Sequence, residues 1–281
     1  MNNFTLCIIS LLFLFTSCSE VRYAYSPVAP NTPGFKEKNE SRLAATVSIG
    51  TYSTLESTVD QNTELNLNLQ SAYAITNHFA VLASYSGTIK ERDQVQYNDN
   101  SSTYTDMVNY KRNQFELGAG IFYPLTNNKS IIFECFAGYG FGKLKITDRY
   151  TQNGNTTSSG FYNASINKFF IQPSLSLHPG KNFFLSLGFK YVNTGHSAIN
   201  TSYTEQQTLD YYLKDMSVSR VQFIEPFLAT NFRFKDAPWL MLQYQFYYTD
   251  QISAQLVYYR ISHNNLGVVI DPRLLFLRKK K

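Results

Sequence analysis

The chain of 281 residues has few charged side chains, one tryptophan and three cysteines. Charged residues make up 16% of the chain, whereas roughly 25% is usual for soluble domains. After residue 17 no apolar run approaches the roughly 18 residues that a membrane-spanning helix needs, which excludes a helical membrane protein. The net charge of +5 includes the basic end Arg278–Lys281 and is too modest to indicate a nucleic-acid-binding protein.

The cysteines and histidines are too scattered to indicate a disulfide or a metal site. Cys7 and Cys18 belong to the N-terminal region, which leaves Cys135 alone and without an internal partner. The histidines lie far apart in the sequence, and no cysteine pair accompanies them. They are His78, His178, His196 and His263, each expected in a solvated turn or loop. The sequence therefore predicts no metal and no cofactor.

An apolar leader opens the chain. Residues 4–15, FTLCIISLLFLF, have the length of a signal-peptide core and are too short to span a bilayer. The motif that follows, LFTSC, resembles the lipid-attachment site of bacterial lipoproteins, in which small residues precede the acylated cysteine. This resemblance implies a signal peptide over residues 1–17 and lipidation at Cys18. The alternative is ordinary signal-peptide cleavage nearby.

Residues 18–42 show no periodicity and contain three closely spaced prolines, Pro27, Pro30 and Pro33. This composition is typical of an extended segment with polyproline-like stretches. We predict that residues 18–42 form a lipidated periplasmic tether. The tether would lie against the mouth of the following domain as a plug or a docking strip.

Residues 43–281 are predicted to form one all-β domain with a basic C-terminal tail. TELNLNLQSAYAI, NFFLSLGFKY and WLMLQYQFYY alternate apolar and polar residues with a period of two, which a helix cannot produce. Ten such segments are present, each about nine to twelve residues long, which is the length that a tilted strand needs to cross a bilayer. We expect the last strand to end at the LLF of residues 274–276.

The connections between the segments alternate between short and long. ITNHF, PLTNNKS, HPGKN and FKDAPW are short and rich in turn residues. Long polar stretches such as KERDQVQYNDNSSTYTD, TDRYTQNGNTTSSG and NTGHSAINTSYTEQQTLDYYLKDMSVS join the other pairs. Tight periplasmic turns and long extracellular loops are typical of outer-membrane barrels.

A soluble, lipocalin-like barrel also alternates, so other features must decide between water and membrane. The polar face carries acids, amides and bases, which suits a wet lumen. Aromatic residues gather at the strand ends, as in an interfacial girdle. They are Tyr123, Phe183 and Trp239 on one side and Tyr85, Tyr110, Tyr191 and Tyr248 on the other. Together with the leader, these features favour the membrane.

A polar position recurs on the strands that return to the short-turn side, as in LQSAY, FELGA, IQPSL, IEPFL and IDPRL. The shared phase predicts that these polar residues point into the lumen, together with nearby bases. The predicted lumen set is Gln70, Glu116, Gln172, Glu225, Asp271, Lys190, Arg233 and Arg273, with Lys143 and Lys145 as further ion-pair partners. Because proline lacks a ladder donor, we expect bulges at Pro173, Pro226 and Pro272.

The lumen set has two interpretations. Its members can pair with one another and fill the barrel, or they can line a path for a solute or proton. Eight strands leave an interior that side chains fill, and open pores need about 16, so ten strands favour the structural interpretation. An enzyme is disfavoured. His196, Ser197, Asp210 and Asp215 share one loop without the His-x-Ser motif of barrel deacylases, and the similarity to omptin proteases stops at strand count.

The strand pattern, the loop asymmetry and LFTSC together resemble the small outer-membrane β-barrel proteins of Gram-negative bacteria, in a lipoprotein-like variant. The resemblance implies a closed antiparallel transmembrane barrel in the outer membrane, with both termini on the periplasmic side. It implies contacts with outer-membrane lipid, lipopolysaccharide and the barrel-assembly machinery, and it allows a protein partner. The function expected is a non-enzymatic structural, binding or accessory subunit. The alternatives are a narrow porin-like channel and, less favoured, a lipid-modifying enzyme.

Overall fold

The computed structural model describes residues 22–51, 63–99, 102–255 and 257–277. The predicted signal peptide, Cys18 and the basic tail after residue 277 lie outside the described residues. The strands are β1 (Tyr23–Tyr25), β2 (Ser41–Thr51), β3 (Thr63–Ala74), β4 (Phe79–Asp99), β5 (Ser102–Pro124), β6 (Ile131–Gln152), β7 (Asn155–Leu177), β8 (Phe183–Thr201), β9 (Val221–Arg233), β10 (Leu240–Tyr248), β11 (Asp250–Gln251), β12 (Tyr258–Tyr259) and β13 (Ser262–Ile270). The helices are α1 (Glu205–Asp210), α2 (Lys214–Val218) and α3 (Pro272–Leu277).

Ten strands, β2–β10 and β13, form a closed antiparallel barrel. Each strand pairs with the next along the chain from β2 to β10, and β13 pairs with both β10 and β2 to close the ring. The prediction of a closed barrel of about ten strands is confirmed. The short strands β1 and β12 pair in parallel as a separate two-stranded sheet. Within the described residues, no helix is long and apolar enough to cross a membrane.

The two ends of the barrel differ as the sequence predicts. One end, called the short-turn end, carries the turns at residues 75–78, 125–130, 178–182 and 234–239. The opposite end, called the long-loop end, carries the connection of residues 202–220 with its helices α1 and α2. The long connection of residues 52–62 lies outside the described residues.

Strands β4 to β8 are longer than predicted. They contain 19 to 23 residues each, because two stretches expected to be polar loops, and the start of a third, continue as paired strands. The β6–β7 hairpin turns at Asn153 and Gly154, whose φ angles of 49° and 80° suit a two-residue hairpin turn. Side chains still alternate between the inside and the outside of the barrel in this extension, but here the apolar ones point inward and the charged ones outward. Leu144, for example, is buried inside, and Lys143 is exposed outside.

The expectation of bulges at three prolines is wrong. Pro226 pairs with Phe189 within a ladder that keeps one register throughout. Pro173 on β7 pairs with Cys135 on β6. On the β8 side the pairing skips Pro173 but continues in the same register beyond it. A missing proline donor therefore leaves a gap in the hydrogen bonds without inserting a residue.

The C-terminal end differs from the prediction as well. The last strand, β13, ends at Ile270, and residues 274–276 belong to the short helix α3. Asp271 caps this helix through a 3.4 Å hydrogen bond from the backbone N–H of Leu274, and Pro272 occupies the first helical position. Asp followed by Pro is a helix-start signal, because proline lacks the N–H that a first turn leaves unpaired.

Candidate functional site

The lumen of the barrel is occupied by the chain's own N-terminal region. Residues 22–35, called the luminal segment, are buried without exception. The segment makes hydrogen bonds or ion pairs with each of the strands β3 to β10. A cavity beside Asn31 and Gln70 measures only about 10 Å³, too little for more than a single water molecule. The interior around this part of the segment is therefore closely filled.

Glutamine side chains from the barrel wall satisfy the backbone carbonyls of the luminal segment. Each donates its amide N–H into the lumen from a different strand. The bonds are Gln114 to Ser26 O (3.0 Å), Gln70 to Ala29 O (2.9 Å), Gln245 to Pro30 O (2.9 Å) and Gln172 to Asn31 O (2.8 Å). An extended segment has no internal partners for its carbonyls, so these wall donors remove the cost of burying them.

The three prolines of the segment suit a buried extended chain. Pro27, Pro30 and Pro33 lack a backbone N–H, which reduces the number of donors that need a partner inside the barrel. Two of the remaining donors meet acidic side chains of the wall. The hydroxyl of Ser26 donates to Glu64 over 2.6 Å, and the backbone N–H of Phe35 donates to Glu134 over 3.3 Å.

The direction of the luminal segment corrects the predicted tether. Its first residue, Arg22, lies near the long-loop end, where it pairs with Asp106 at 3.2 Å and Asp148 at 2.9 Å. The chain leaves the lumen at the short-turn end, where Glu40 pairs with Arg273 over 3.1 Å. Residues 22–35 therefore pass through the barrel, whereas we expected them against its periplasmic mouth. Counting strands could not reveal this, because a segment inside the ring adds nothing to the count.

A buried ion triad lies at the middle of the wall. Glu116 accepts from Lys168 at 2.7 Å and from Lys190 at 2.8 Å, and all three side chains are at most 2% exposed. Lys190 also reaches the Val28 carbonyl at 3.4 Å. Glu225 lies nearby and accepts a hydrogen bond from the hydroxyl of Tyr25, whose ring stacks on Phe223 at 4.1 Å.

A second ion cluster, called the arginine cluster, lies closer to the long-loop end. Arg260 is fully buried and contacts Glu91 at 2.9 Å, Asp93 at 3.3 Å and Glu64 at 3.5 Å. Arg112 also pairs with Glu91 and donates to the backbone carbonyl of Tyr23. The Arg260 guanidinium lies 3.7 Å from the ring centre of Tyr23, so the cluster holds the start of the luminal segment.

The predicted lumen residues fall into two groups. Gln70, Glu116, Gln172, Lys190 and Glu225 are buried in the lumen and face the luminal segment or the ion triad. The other three lie at the short-turn end. Asp271 pairs with Arg42 at 2.7 Å, Arg233 lies 3.9 Å from Asp271, and Arg273 belongs to α3. Lys143 and Lys145 face outward and are exposed, so their expected luminal ion pairs are wrong.

Several luminal residues escaped the sequence-based prediction. Arg112 and Gln114 lie on the same face of β5 as the predicted Glu116, and Lys168 lies on the same face of β7 as the predicted Gln172. Strict alternation therefore places all three inside. Arg260 lies in the connection between β12 and β13 and shows no periodic signal. Arg22 escaped because nothing local indicates that an extended segment enters a barrel.

Two histidines differ from the expectation of solvated loops. His263 on β13 is fully buried, lies 3.1 Å from Glu64 and stacks on Tyr247. His196 on β8 is buried 3.1 Å from the hydroxyl of Tyr162. Ser26 contacts Glu64 rather than His263, so these groups do not form a nucleophile–base pair. Among the described residues, no group of three potential ligands is arranged for a metal ion.

Above the ion clusters, the long-loop end contains an apolar core. Tyr110, Leu144, Ile146 and Tyr162 point inward and pack with Leu213 and Met216 from the connecting loop. They share one cluster with the start of the luminal segment, including Tyr23 and Tyr25. Tyr110 is therefore buried inside the barrel and is not part of an outer girdle, which corrects its predicted placement.

The outside of the barrel carries a band of exposed apolar side chains between the two ends. Exposed members are found on strands around the whole ring. They include Leu43, Val47, Leu69, Leu117, Ile121, Tyr139, Phe141, Phe169, Ile171, Leu187, Phe189, Leu228, Leu242, Phe246, Leu266 and Val268. On β6 the band ends between Phe141 and Lys143, where outward residues become charged. Such an inverted surface suits hydrocarbon better than water.

Comparison with known proteins yields structural likeness only. No family model and no curated protein matches the sequence. The outer-membrane protease OmpT of Escherichia coli is 14% identical, with 87% of this chain and 99% of that chain covered and a TM-score of 0.45. The translocator domain of NalP from Neisseria meningitidis is 9% identical (83% and 88% covered, TM-score 0.43), and an outer-membrane channel from Pseudomonas putida F1 is 12% identical (87% and 99%, 0.40). The roles of these three proteins differ, and none is transferred to this chain.

Proposed function

We propose that the chain is an outer-membrane barrel closed by its own N-terminal segment, and that it acts as a non-enzymatic binding or accessory subunit. One observation carries this proposal: residues 22–35 are buried in the lumen and bonded to strands β3 to β10. A filled lumen disfavours a resting solute channel. A lipid-modifying enzyme is disfavoured because Ser26, the hydroxyl next to the His263–Glu64 pair, binds the carboxylate rather than the imidazole, and all three groups are buried.

The apolar band and the polar ends support the placement in a membrane. Outward side chains such as Leu117 and Phe189 are 50% and 43% exposed, far more than apolar groups of this size favour in water. The apolar leader supports export, and the short turns then face the periplasm. The expected contacts are with lipid and lipopolysaccharide around the band, with the barrel-assembly machinery during insertion, and with a protein partner at the long-loop end.

The test uses protein purified from native outer membranes in mild detergent. We expect planar-bilayer recordings of the full chain to show no conductance steps, because the luminal segment blocks the ion path. We expect a second protein to co-purify at near-equal stoichiometry. Conductance steps from the full-length chain would favour a channel instead. Purification of the chain without any co-purifying protein would contradict the accessory role.

The direction of the luminal segment also bears on the lipid anchor. Arg22 lies at the long-loop end, and Cys18 precedes it by four positions, a distance of at most roughly 14 Å along an extended chain. We infer that an acyl chain on Cys18 would insert into the leaflet on the long-loop side, which is the cell surface. Arg22 then faces the cell surface and α3 faces the periplasm, contrary to the expectation that both ends of the mature chain are periplasmic.

An epitope inserted after Glu20 tests this inference on intact cells. We expect antibody to label it on intact cells as efficiently as it labels an epitope inserted between Asn153 and Gly154 at the long-loop end. An epitope after Lys281 serves as the control and is expected to be labelled only after the outer membrane is permeabilised. Labelling of the N-terminal epitope only after permeabilisation would contradict the inferred orientation.

A further inference from the structure

The short-turn end contains a small cationic cavity that the proposed function does not use. Its volume is about 100 Å³, room for roughly three water molecules. It is lined by five basic side chains and two carboxylates, which leaves an excess of three positive charges when histidine is neutral. The basic residues are Lys36, Arg42, Lys181, Arg233 and Arg273, and the acids are Glu40 and Asp271.

The carboxylates are already shared among the arginines. Asp271 pairs with Arg42 at 2.7 Å and with Arg233 at 3.9 Å. Glu40 pairs with Arg273 at 3.1 Å and with Arg42 at 3.6 Å, and Glu37, which lies outside the lining, pairs with Arg273 at 2.9 Å. In the part of the chain that the structure describes, neither Lys36 nor Lys181 has a carboxylate within 4.0 Å. The excess charge is therefore concentrated on side chains that line the cavity.

Three buried nitrogens on lining residues lack a hydrogen-bond partner within the described structure. They are Nε of Arg42, Nε of Arg273 and Nε2 of His178. Arg42 is only 7% exposed, so water does not easily compensate its unmade bond. Buried donors without partners are rare and costly, and a bound acceptor with several oxygens would satisfy them.

The pKa values of two lining groups reflect the same excess of positive charge. Burial lowers the pKa of His178 to about 3, and the neighbouring charges of Lys36, Arg42 and Arg233 add to this effect. His178 is therefore neutral at physiological pH, with one ring N–H to donate. Burial also lowers the pKa of Lys36. The neighbouring Glu40 carboxylate opposes this shift, whereas the charges of Arg233 and Arg42 add to it. An anion in the cavity would relieve this repulsion.

We propose that this cavity binds a phosphate group between Lys36, His178 and the arginines Arg42 and Arg273. A phosphate offers several acceptor oxygens and up to two negative charges, which suits donors on several sides and an excess of three positive charges. The volume is sufficient for a small oxyanion. The group can come from free phosphate or from a lipid headgroup of the adjacent leaflet, and the second source rests on the proposed membrane placement.

Calorimetric titration of the full chain in a non-ionic detergent tests the proposal. One arm adds inorganic phosphate and the other adds a water-soluble, short-chain phosphatidic acid. We expect saturable binding in at least one arm. Lys36→Gln should weaken it about tenfold, the loss expected for one hydrogen bond to a charged group. Lys38→Gln removes the same charge two residues away, outside the cavity lining, and should leave the affinity unchanged.

Lys181→Gln provides a second variant, since its exposed side chain lines the cavity without threatening the fold. It should also weaken binding, by a smaller factor than Lys36→Gln. Binding only in the inorganic arm identifies a soluble phosphate, and binding only in the lipid arm identifies a headgroup. Absence of saturable binding in both arms, or equal affinity in Lys36→Gln and the unaltered chain, would overturn the proposal.

Discussion

A variant that lacks residues 22–35 is expected to conduct ions, whereas the full chain is expected to be silent. Removal of the segment leaves wall donors such as Gln70, Gln172 and Gln245 without their carbonyl partners. Water then replaces the segment, because these groups and the ion triad bind water well. A ten-stranded ring is wider than the eight-stranded barrels that side chains alone fill, so a continuous wet path is expected.

Planar-bilayer recording measures this directly as discrete current steps. Circular dichroism and heat-dependent gel mobility show first that the shortened barrel is folded. A synthetic peptide with the sequence of residues 22–35 should restore the block when it is added, and a scrambled peptide of the same composition should not. A folded variant without current would mean that the side chains of the wall close the lumen by themselves.

Arg260→Met is expected to destabilise the barrel by about 3–5 kcal/mol, the usual cost of removing one partner from a buried ion pair. Arg260 is fully buried and contacts Glu64, Glu91 and Asp93. Methionine fills part of the volume but leaves these acids with too little positive charge, and it removes the contact with the ring of Tyr23. The start of the luminal segment should loosen as well.

Guanidinium unfolding in detergent gives the free energy of unfolding for each variant. Arg260→Lys keeps the charge but not the planar fork, so its loss should lie between the unaltered chain and Arg260→Met. Arg220→Met is the matched control, since Arg220 is exposed and contacts the Asn193 amide and carbonyl rather than a carboxylate. Equal stability of Arg260→Met and Arg220→Met would show that the arginine cluster contributes little.

Much of the barrel could be predicted because the alternation of inward and outward side chains can be recognised within each strand by itself. The period of two indicates the strands, and the same period places Gln70, Glu116 and Gln172 on one face before any contact is known. The alternation of short and long connections indicates which end is which. These signals need no knowledge of distant partners.

The errors have two physical origins. The strands β4 to β8 are longer than predicted because outward residues become polar at the long-loop end, as beyond Phe141 on β6, while the alternation and the ladder continue with Leu144 and Ile146 inside. The helix at Pro272 was overlooked because the apolar LLF fits the end of a strand as well as a short helix. In both cases composition alone predicts the wrong structure, because backbone hydrogen bonding decides it.

The luminal segment could not be predicted because its partners are not local. The bonds of Arg22 join residues 84 and 126 positions apart in the chain, and that of Tyr25 to Glu225 spans 200. An extended, proline-rich segment has the same sequence pattern whether it lies in water or inside a barrel. The only sequence signal for it is the number of inward amide side chains, which can bind the backbone of a segment inside the lumen. They include Gln70, Gln114, Gln172 and Gln245.

A closed ring with a chain through it also restricts the order of assembly. The seam between β2 and β13 joins the two ends of the sheet, and β2 directly follows the threaded residues. If the ring closed first, the N-terminus would have to be pulled through a lumen that fits only an extended backbone, and an acylated cysteine would not pass. Closure of the seam around a segment already in place avoids this obstacle. We therefore expect the pairing of β2 with β13 to be the last step of barrel assembly.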